Sequence, residues 1–207
     1  GLQLSAGTAV AQLVALAAIP VLARVFVPAE LGEFSIFFFT SQLMGVLLGG
    51  RYEQAIMIAR REREIQGLLI VSTAIATIGA VAIALTLAFL HPVLDTATAT
   101  SLGLWWPLAA VCGLFASTST TLTVLAIRYE RYATISASRL IKPMVALALQ
   151  VALALTILPG LAGLAAGEII GVISSTALLC YNLRGLDTFV GLPRPDRTLD
   201  WKYVLAI

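Results

Sequence analysis

Four ionisable side chains stand inside long apolar runs of this sequence: Arg24, Arg51, Glu53 and Glu168. A charge among lipid tails costs about 2.5–3.5 kcal/mol on insertion scales, so each needs a partner, a water-filled cavity or a route to the interface. Arg51 offers the clearest chemistry. Its planar fork of donors suits a pair of phosphate or pyrophosphate oxygens. The competing reading is a side chain that snorkels to headgroups or pairs with a nearby acid. Glu53 follows two positions later, about 200° further round a helix, so the two do not face each other. It requires a partner on another helix, either to tie the two together or to exchange a coupling proton. Arg24 closes an apolar run beside a Val-Pro turn, where it can snorkel, neutralise helix-terminal carbonyls or line a cavity. Glu168 shows no partner in the sequence and is read as a proton site or a structural acid. Among the uncharged polar residues in apolar runs, Gln12, Gln42, Gln150 and Asn182, Gln42 joins Arg24 and Arg51 as a substrate-binding candidate.

Other chemistry is not signalled. The chain carries no P-loop, no GxSxG, no HExxH and no metal-ligand spacing, so neither a cofactor nor a metal nor an enzymatic centre is expected. The single His91 is placed in an outer loop as a surface residue. Cys112 and Cys180 lie in apolar runs without a CxxC or Cys/His cluster, and both are read as small packing residues.

These side chains need membrane-spanning elements to hold them. Of 207 residues, 59% are apolar and only 12% charged, against about 25% charged in a soluble domain. The mean hydropathy is +0.97. The net charge of +2 is spread over short loops and forms no basic stripe, which argues against a nucleic-acid partner. A span needs about 20 mainly apolar residues. Six stretches fit: 4–25 with Pro20 inside it, 32–59, 67–90, 104–127, 140–158 and 161–183. The fold expected is an all-α transmembrane six-helix bundle. Residues 128–138 are read as a short interfacial helix or a solvated loop.

The connections alternate in character. One set is nearly free of Lys and Arg: the Val27–Pro28 turn, residues 91–101 and Pro159-Gly160. The other carries Arg60, Arg61, Arg63, then Arg128, Arg131, Arg139 and Lys142, then Arg184, Arg194, Arg197 and Lys202. The positive-inside rule puts the second set and the N-terminus in the cytoplasm. Trp105 and Trp106 at one end of the fourth span, and Tyr129 and Tyr132 at the other, fit interfacial anchoring. Residues 1–184 are thus one transmembrane unit, and 185–207 a Gly/Pro-containing cytoplasmic linker leading into a further helix at Thr198–Tyr203. The beginning at Gly1 and the end in mid-pattern are those expected of a piece of a longer protein.

The run Arg24-Val25-Phe26-Val27-Pro28-Ala29-Glu30-Leu31-Gly32-Glu33-Phe34-Ser35 resembles the junction of the first two helices in polysaccharide biosynthesis proteins. These are the lipid-linked oligosaccharide flippases of the multidrug/oligosaccharidyl-lipid/polysaccharide exporter superfamily. Arg51-Tyr52-Glu53-Gln54-Ala55-Ile56 is similar to a segment of one branch, and Trp201-Lys202-Tyr203 to the start of a second lobe. The specific likeness covers 22–59, and the rest rests on hydropathy. The resemblance implies two six-helix lobes around a V-shaped cavity, with this chain the first lobe, in a bacterial inner membrane. It implies passage of undecaprenyl-pyrophosphate-linked oligosaccharide, an O-antigen or exopolysaccharide repeat unit, from inner to outer leaflet by alternating access. It also implies that Arg24 and Arg51 take the pyrophosphate, and it makes membrane lipids and other polysaccharide-assembly membrane proteins the expected partners. The first lobe alone is not expected to transport.

Two other classes compete. A proton- or sodium-coupled multidrug antiporter of the same superfamily would rely on acidic cavity residues, but Arg24 and Arg51 against Glu53 and Glu168 favour an anionic substrate. A membrane glycosyltransferase or ligase would need outer-loop acids or a histidine, for which only His91 and Asp95 are placed.

Overall fold

Where water is absent, a spanning backbone must satisfy its own hydrogen bonds, and helices do so within one segment. The computed structural model describes residues 2–50, 52–59, 62–98, 103, 105–156 and 160–184, and the side chains of 2–8, 15, 52, 53, 62, 97 and 98 lie outside that description. Among the described residues the chain forms seven helices: α1 Leu2–Val25, α2 Pro28–Gly49, α3 Tyr52–Ile58, α4 Glu62–Thr98, α5 Trp105–Arg128, α6 Tyr132–Thr156 and α7 Leu161–Leu183. Five of them, α2 and α4 to α7, contain stretches long and apolar enough to cross a membrane. The described side chains of α1 make a shorter apolar helix, Ala9–Val25. The chain is an all-α protein of multi-pass membrane type.

Local chemistry sets several boundaries. Pro28 opens α2, where its fixed φ fits and its missing N–H is not needed. The Glu30 carboxylate accepts the Val27 N–H at 3.1 Å, satisfying one donor of the turn. The same carboxylate reaches the turn before α7: its Oε1 stands 3.0 Å from where a Cβ would sit on Gly160, whose φ is +78°. Both facts require glycine there. Buried and lipid-facing hydroxyls are satisfied within their own helices, as when Ser41 donates to the Phe37 carbonyl at 2.8 Å and Thr123 to that of Ser119 at 2.7 Å.

Helix α5 lies at the centre, packed by α2, α3, α4 and α7, while α6 pairs with α7 and carries α1 on its other side. One core cluster, at the end holding the α4 start, joins Ile56, Ile65, Leu125, Ile135 and Leu179. A second, nearer the opposite end, joins Phe37, Trp106, Cys112, Leu161 and Val172. Small residues permit the close helix approaches. A Cβ on Gly113 would stand 2.6 Å from Met44 Cβ, and one on Gly167 would stand 2.5 Å from Gln150 Cγ. Such seams are how helices associate where lipid removes the hydrophobic drive between them. Outward faces are apolar instead of charged, with Leu13, Phe39, Val46, Ile78 and Phe89 all exposed. Lipid is the solvent that makes those faces stable.

Three expectations are corrected. The second span is not one helix over 32–59. Gly50 adopts a left-handed conformation, φ 53°, and ends α2 before α3 begins at Tyr52. The third span does not stop at 90, because α4 continues through His91 and Pro92 to Thr98. Residues 128–138 are not a separate helix or one continuous loop. Arg128 ends α5, Glu130 turns the chain with φ 55°, and Tyr132 already starts α6. The proposed linker at 185–207 lies outside the described residues.

Candidate intramembrane site

The early start of α6 changes the position of one charge. Lys142, counted above with the cytoplasmic basic residues, is ten residues into α6, about 15 Å along its axis. Glu168 is seven residues into α7, about 10 Å from its start. The two meet. Lys142 Nζ lies 3.0 Å from Glu168 Oε1, with Glu168 almost sealed at 9% side-chain exposure and Lys142 open at 31%. Either charge alone would be expensive at this depth, whereas the pair is neutral and hydrogen-bonded.

The neighbours come from two more helices. From α2, the Phe38 ring centroid lies 5.9 Å from Lys142 Nζ, a cation–π distance. Ser41, one turn from Phe38, is a hydrogen-bonding neighbour of Cys112 on α5, and Cys112 also feels both charges of the pair. Gln150 on α6 donates from Nε2 to the Leu164 carbonyl at 3.0 Å, a second polar tie across the same seam. The close glycine contacts of α7 with α6, at Gly167 and Gly171, hold the two backbones near enough for both ties.

A cavity of about 430 Å³ lies between α2, α3 and α5, with Gln42, Gly45, Gly49, Gln54, Ser117 and Thr120 among its lining residues. Its polar groups are carboxamides and hydroxyls, which can donate and accept hydrogen bonds to neutral polar ligands. Phe38, Gln42, Gly45 and Gly49 recur at intervals of four, three and four, so they form one stripe of α2. That stripe runs from the ring beneath the Lys142 ammonium to the cavity wall. The break at Gly50 terminates α2 at the far end of the stripe.

The structure places the other candidates as follows. Gln42 lines the cavity. Glu168 has the partner that the sequence did not reveal. Arg24 is exposed in the last turn of α1 and belongs to neither the cavity lining nor the ion pair. Arg51 and the Glu53 side chain lie outside the described residues. Asn182 donates to the carbonyl of Leu178 at 2.9 Å and Gln12 is exposed. Asp95 is structural: it accepts the Trp106 indole N–H at 2.8 Å and the Gly103 N–H at 3.0 Å, joining α4 to α5. Cys112 is a buried core residue, in keeping with a packing role. Lys142, Phe38, Gln54, Ser117 and Thr120 were missed. The available signal for Lys142 was its opposite charge to Glu168 on the next span.

No family model matches the chain, and searches of curated proteins and of solved structures returned no match. Fold and site together define a class: a multi-pass helical membrane protein with an ion pair between α6 and α7 and a half-open cavity, lined by both polar and apolar groups, where α2, α3 and α5 meet.

Proposed function

We propose that this chain is the six-helix first lobe of a flippase for lipid-linked oligosaccharide, with α1 as the sixth span and the N-terminus in the cytoplasm of a bacterial cell. Its substrate is a polyprenyl pyrophosphate bearing sugars, moved from inner to outer leaflet by alternating access. One observation carries this reading: a single stripe of α2 bears, at Phe38, the ring packed on the partly open Lys142 side chain and, at Gln42, Gly45 and Gly49, one wall of a half-open cavity that also holds Gln54, Ser117 and Thr120. Such an arrangement offers a cation to an anionic linkage and hydrogen-bonding groups to sugar hydroxyls. The resemblance over 22–59 supports the substrate class, and it adds Arg24 and Arg51 as pyrophosphate ligands. An antiporter of cationic drugs is less well supported, because the acid buried in the described interior, Glu168, is already neutralised by Lys142. The test is transfer of a fluorescent polyprenyl-pyrophosphate oligosaccharide across proteoliposomes holding the full-length protein. Arg51→Ala abolishes transfer while membrane insertion is intact, and Gln42→Leu with Ser117→Ala slows it at least tenfold. Unchanged transfer in both variants, or a selective loss of cationic-dye efflux instead, refutes the proposal.

A further inference from the structure

The ion pair is lopsided. Glu168 is nearly sealed within the α6–α7 seam, while the Lys142 side chain keeps almost a third of its surface open. An ammonium has three donors, and here one N–O contact goes to Glu168 and another side of the group faces the Phe38 ring. Lys142 can therefore receive an additional acceptor without moving far, and Glu168 has no comparable freedom. We propose that Lys142 is an exchangeable anion site, at which a phosphate group of the ligand displaces the resident Glu168 carboxylate and Glu168 takes up a proton. The ligand assumed, a polyprenyl pyrophosphate, rests on the flippase reading.

Charge balance requires the proton. The resting pair sums to zero. A phosphate oxygen on Lys142 would leave Glu168 as an uncompensated anion in a site sealed from water, a state that costs several kcal/mol. The elements packed on α7 are α2, α5 and α6. From α2 the Phe38 ring faces the ammonium, from α5 the Cys112 thiol lies close enough to be influenced by both charges and is hydrogen-bonded to Ser41, and from α6 Lys142 is itself the partner. Arg139, one turn before Lys142, is exposed. None of the neutral groups supplies a second positive charge. A hydronium ion or buffer acid of the aqueous phase therefore gives up its proton to a Glu168 carboxylate oxygen as one phosphate negative charge arrives at Lys142. The donor's bond to that proton breaks, the Glu168 O–H forms, the donor's conjugate base stays in solution, and the site remains neutral. Glu168 thus acts as an internal stand-in for the ligand anion, and anion binding and protonation are thermodynamically linked.

The experiment is calorimetric titration of a polyprenyl pyrophosphate into the full-length protein in nanodiscs, repeated in buffers of different ionisation enthalpy to count protons. The wild type is expected to take up about one proton per lipid bound. Glu168→Gln removes that uptake and binds at least as tightly, since Lys142 is no longer occupied. Lys142→Met weakens binding about ten- to a hundredfold, the loss expected for a hydrogen bond to a charged group. The Lys142→Met/Glu168→Gln double variant carries no buried charge and separates misfolding from lost binding: it should remain folded, bind weakly and take up no proton. Wild-type binding without proton exchange, or undiminished binding by Lys142→Met, overturns the inference and leaves the flippase reading standing. No wild-type binding at all overturns both. Proton-linked binding of the lipid without transfer of its glycosylated form overturns the flippase reading alone.

Discussion

Gly167→Ala tests whether the α6–α7 seam holds the site together. A Cβ at position 167 would stand 2.5 Å from Gln150 Cγ, 3.0 Å from the Ala146 carbonyl oxygen and 3.0 Å from Gln150 N, where ordinary contact begins at 3.4 Å. Two of those atoms are backbone and cannot swing aside, so α6 and α7 must part by roughly half an ångström or more. Overpacking of that kind costs about 1–3 kcal/mol. Alanine also gains about 1 kcal/mol over glycine in a helix interior, which masks part of the cost. Gly32→Ala removes that ambiguity: it lies within α2 and a Cβ there meets nothing within 4 Å. Both variants share the propensity gain, so the gap between them isolates the clash at about 1–3 kcal/mol. Thermal unfolding in detergent, followed by tryptophan fluorescence, reads that gap at about 2–4 °C per kcal/mol. Gly32→Ala is expected to melt at or above the wild type and Gly167→Ala several degrees below Gly32→Ala. If the two melt together, the close seam is not what places Lys142 against Glu168.

Two further outcomes follow from the junctions that frame the bundle. Asp95→Ala leaves the buried Trp106 indole N–H and the Gly103 N–H without their acceptor, a loss of about 1–3 kcal/mol; the unfolding midpoint falls and Trp106 emission shifts, and an unchanged spectrum would refute the contact. Arg128→Ala removes the Nη1 bond to the Ile56 carbonyl, 2.7 Å long, that fastens the end of α3 to α5. Amide exchange over 55–59 should then accelerate while α7 stays protected, and equal protection in both forms would show that α3 is held by packing alone.

Hydropathy located the helices but not their interruptions. The last span, 161–183, coincides with α7, and the first and fourth spans agree with α1 and α5 to within two residues at each end. These segments are apolar throughout and bounded by strong turn residues, so a window average describes them well. The break at Gly50 is a different kind of event. One residue enters the left-handed region, and an average over some 20 residues does not register it. The Gly49-Gly50 pair was the visible sign, and in a lipid-facing stretch glycine is equally common for close packing. His91-Pro92 misled in the opposite direction. A polar residue and a proline suggest a loop in water, yet α4 carries both and ends only after Asp95 has reached Trp106.

The site was harder to see because the register of one helix against its neighbour depends on where each helix starts, and polar first turns hide that start. Residues 128–138 read as an interfacial helix or a solvated loop because they hold Arg, Ser and Thr. Their hydroxyls are nonetheless satisfied locally, as Ser138 shows by donating to the Ile135 carbonyl. Extending α6 down to Tyr132 moves Lys142 from the third residue of a span to the eleventh. That displacement takes Lys142 from the edge of a span to a position where it meets Glu168. The same displacement gives Glu168 the partner that the sequence did not reveal. Charge type alone therefore could not decide between surface and interior. What decides it is helix register, fixed here by the Glu130 turn and by the small residues that let α7 lie against α6. An ion pair formed in that way is specified by backbone positions far from either charge, and disturbing those positions should disturb the pair while both charged residues remain in place.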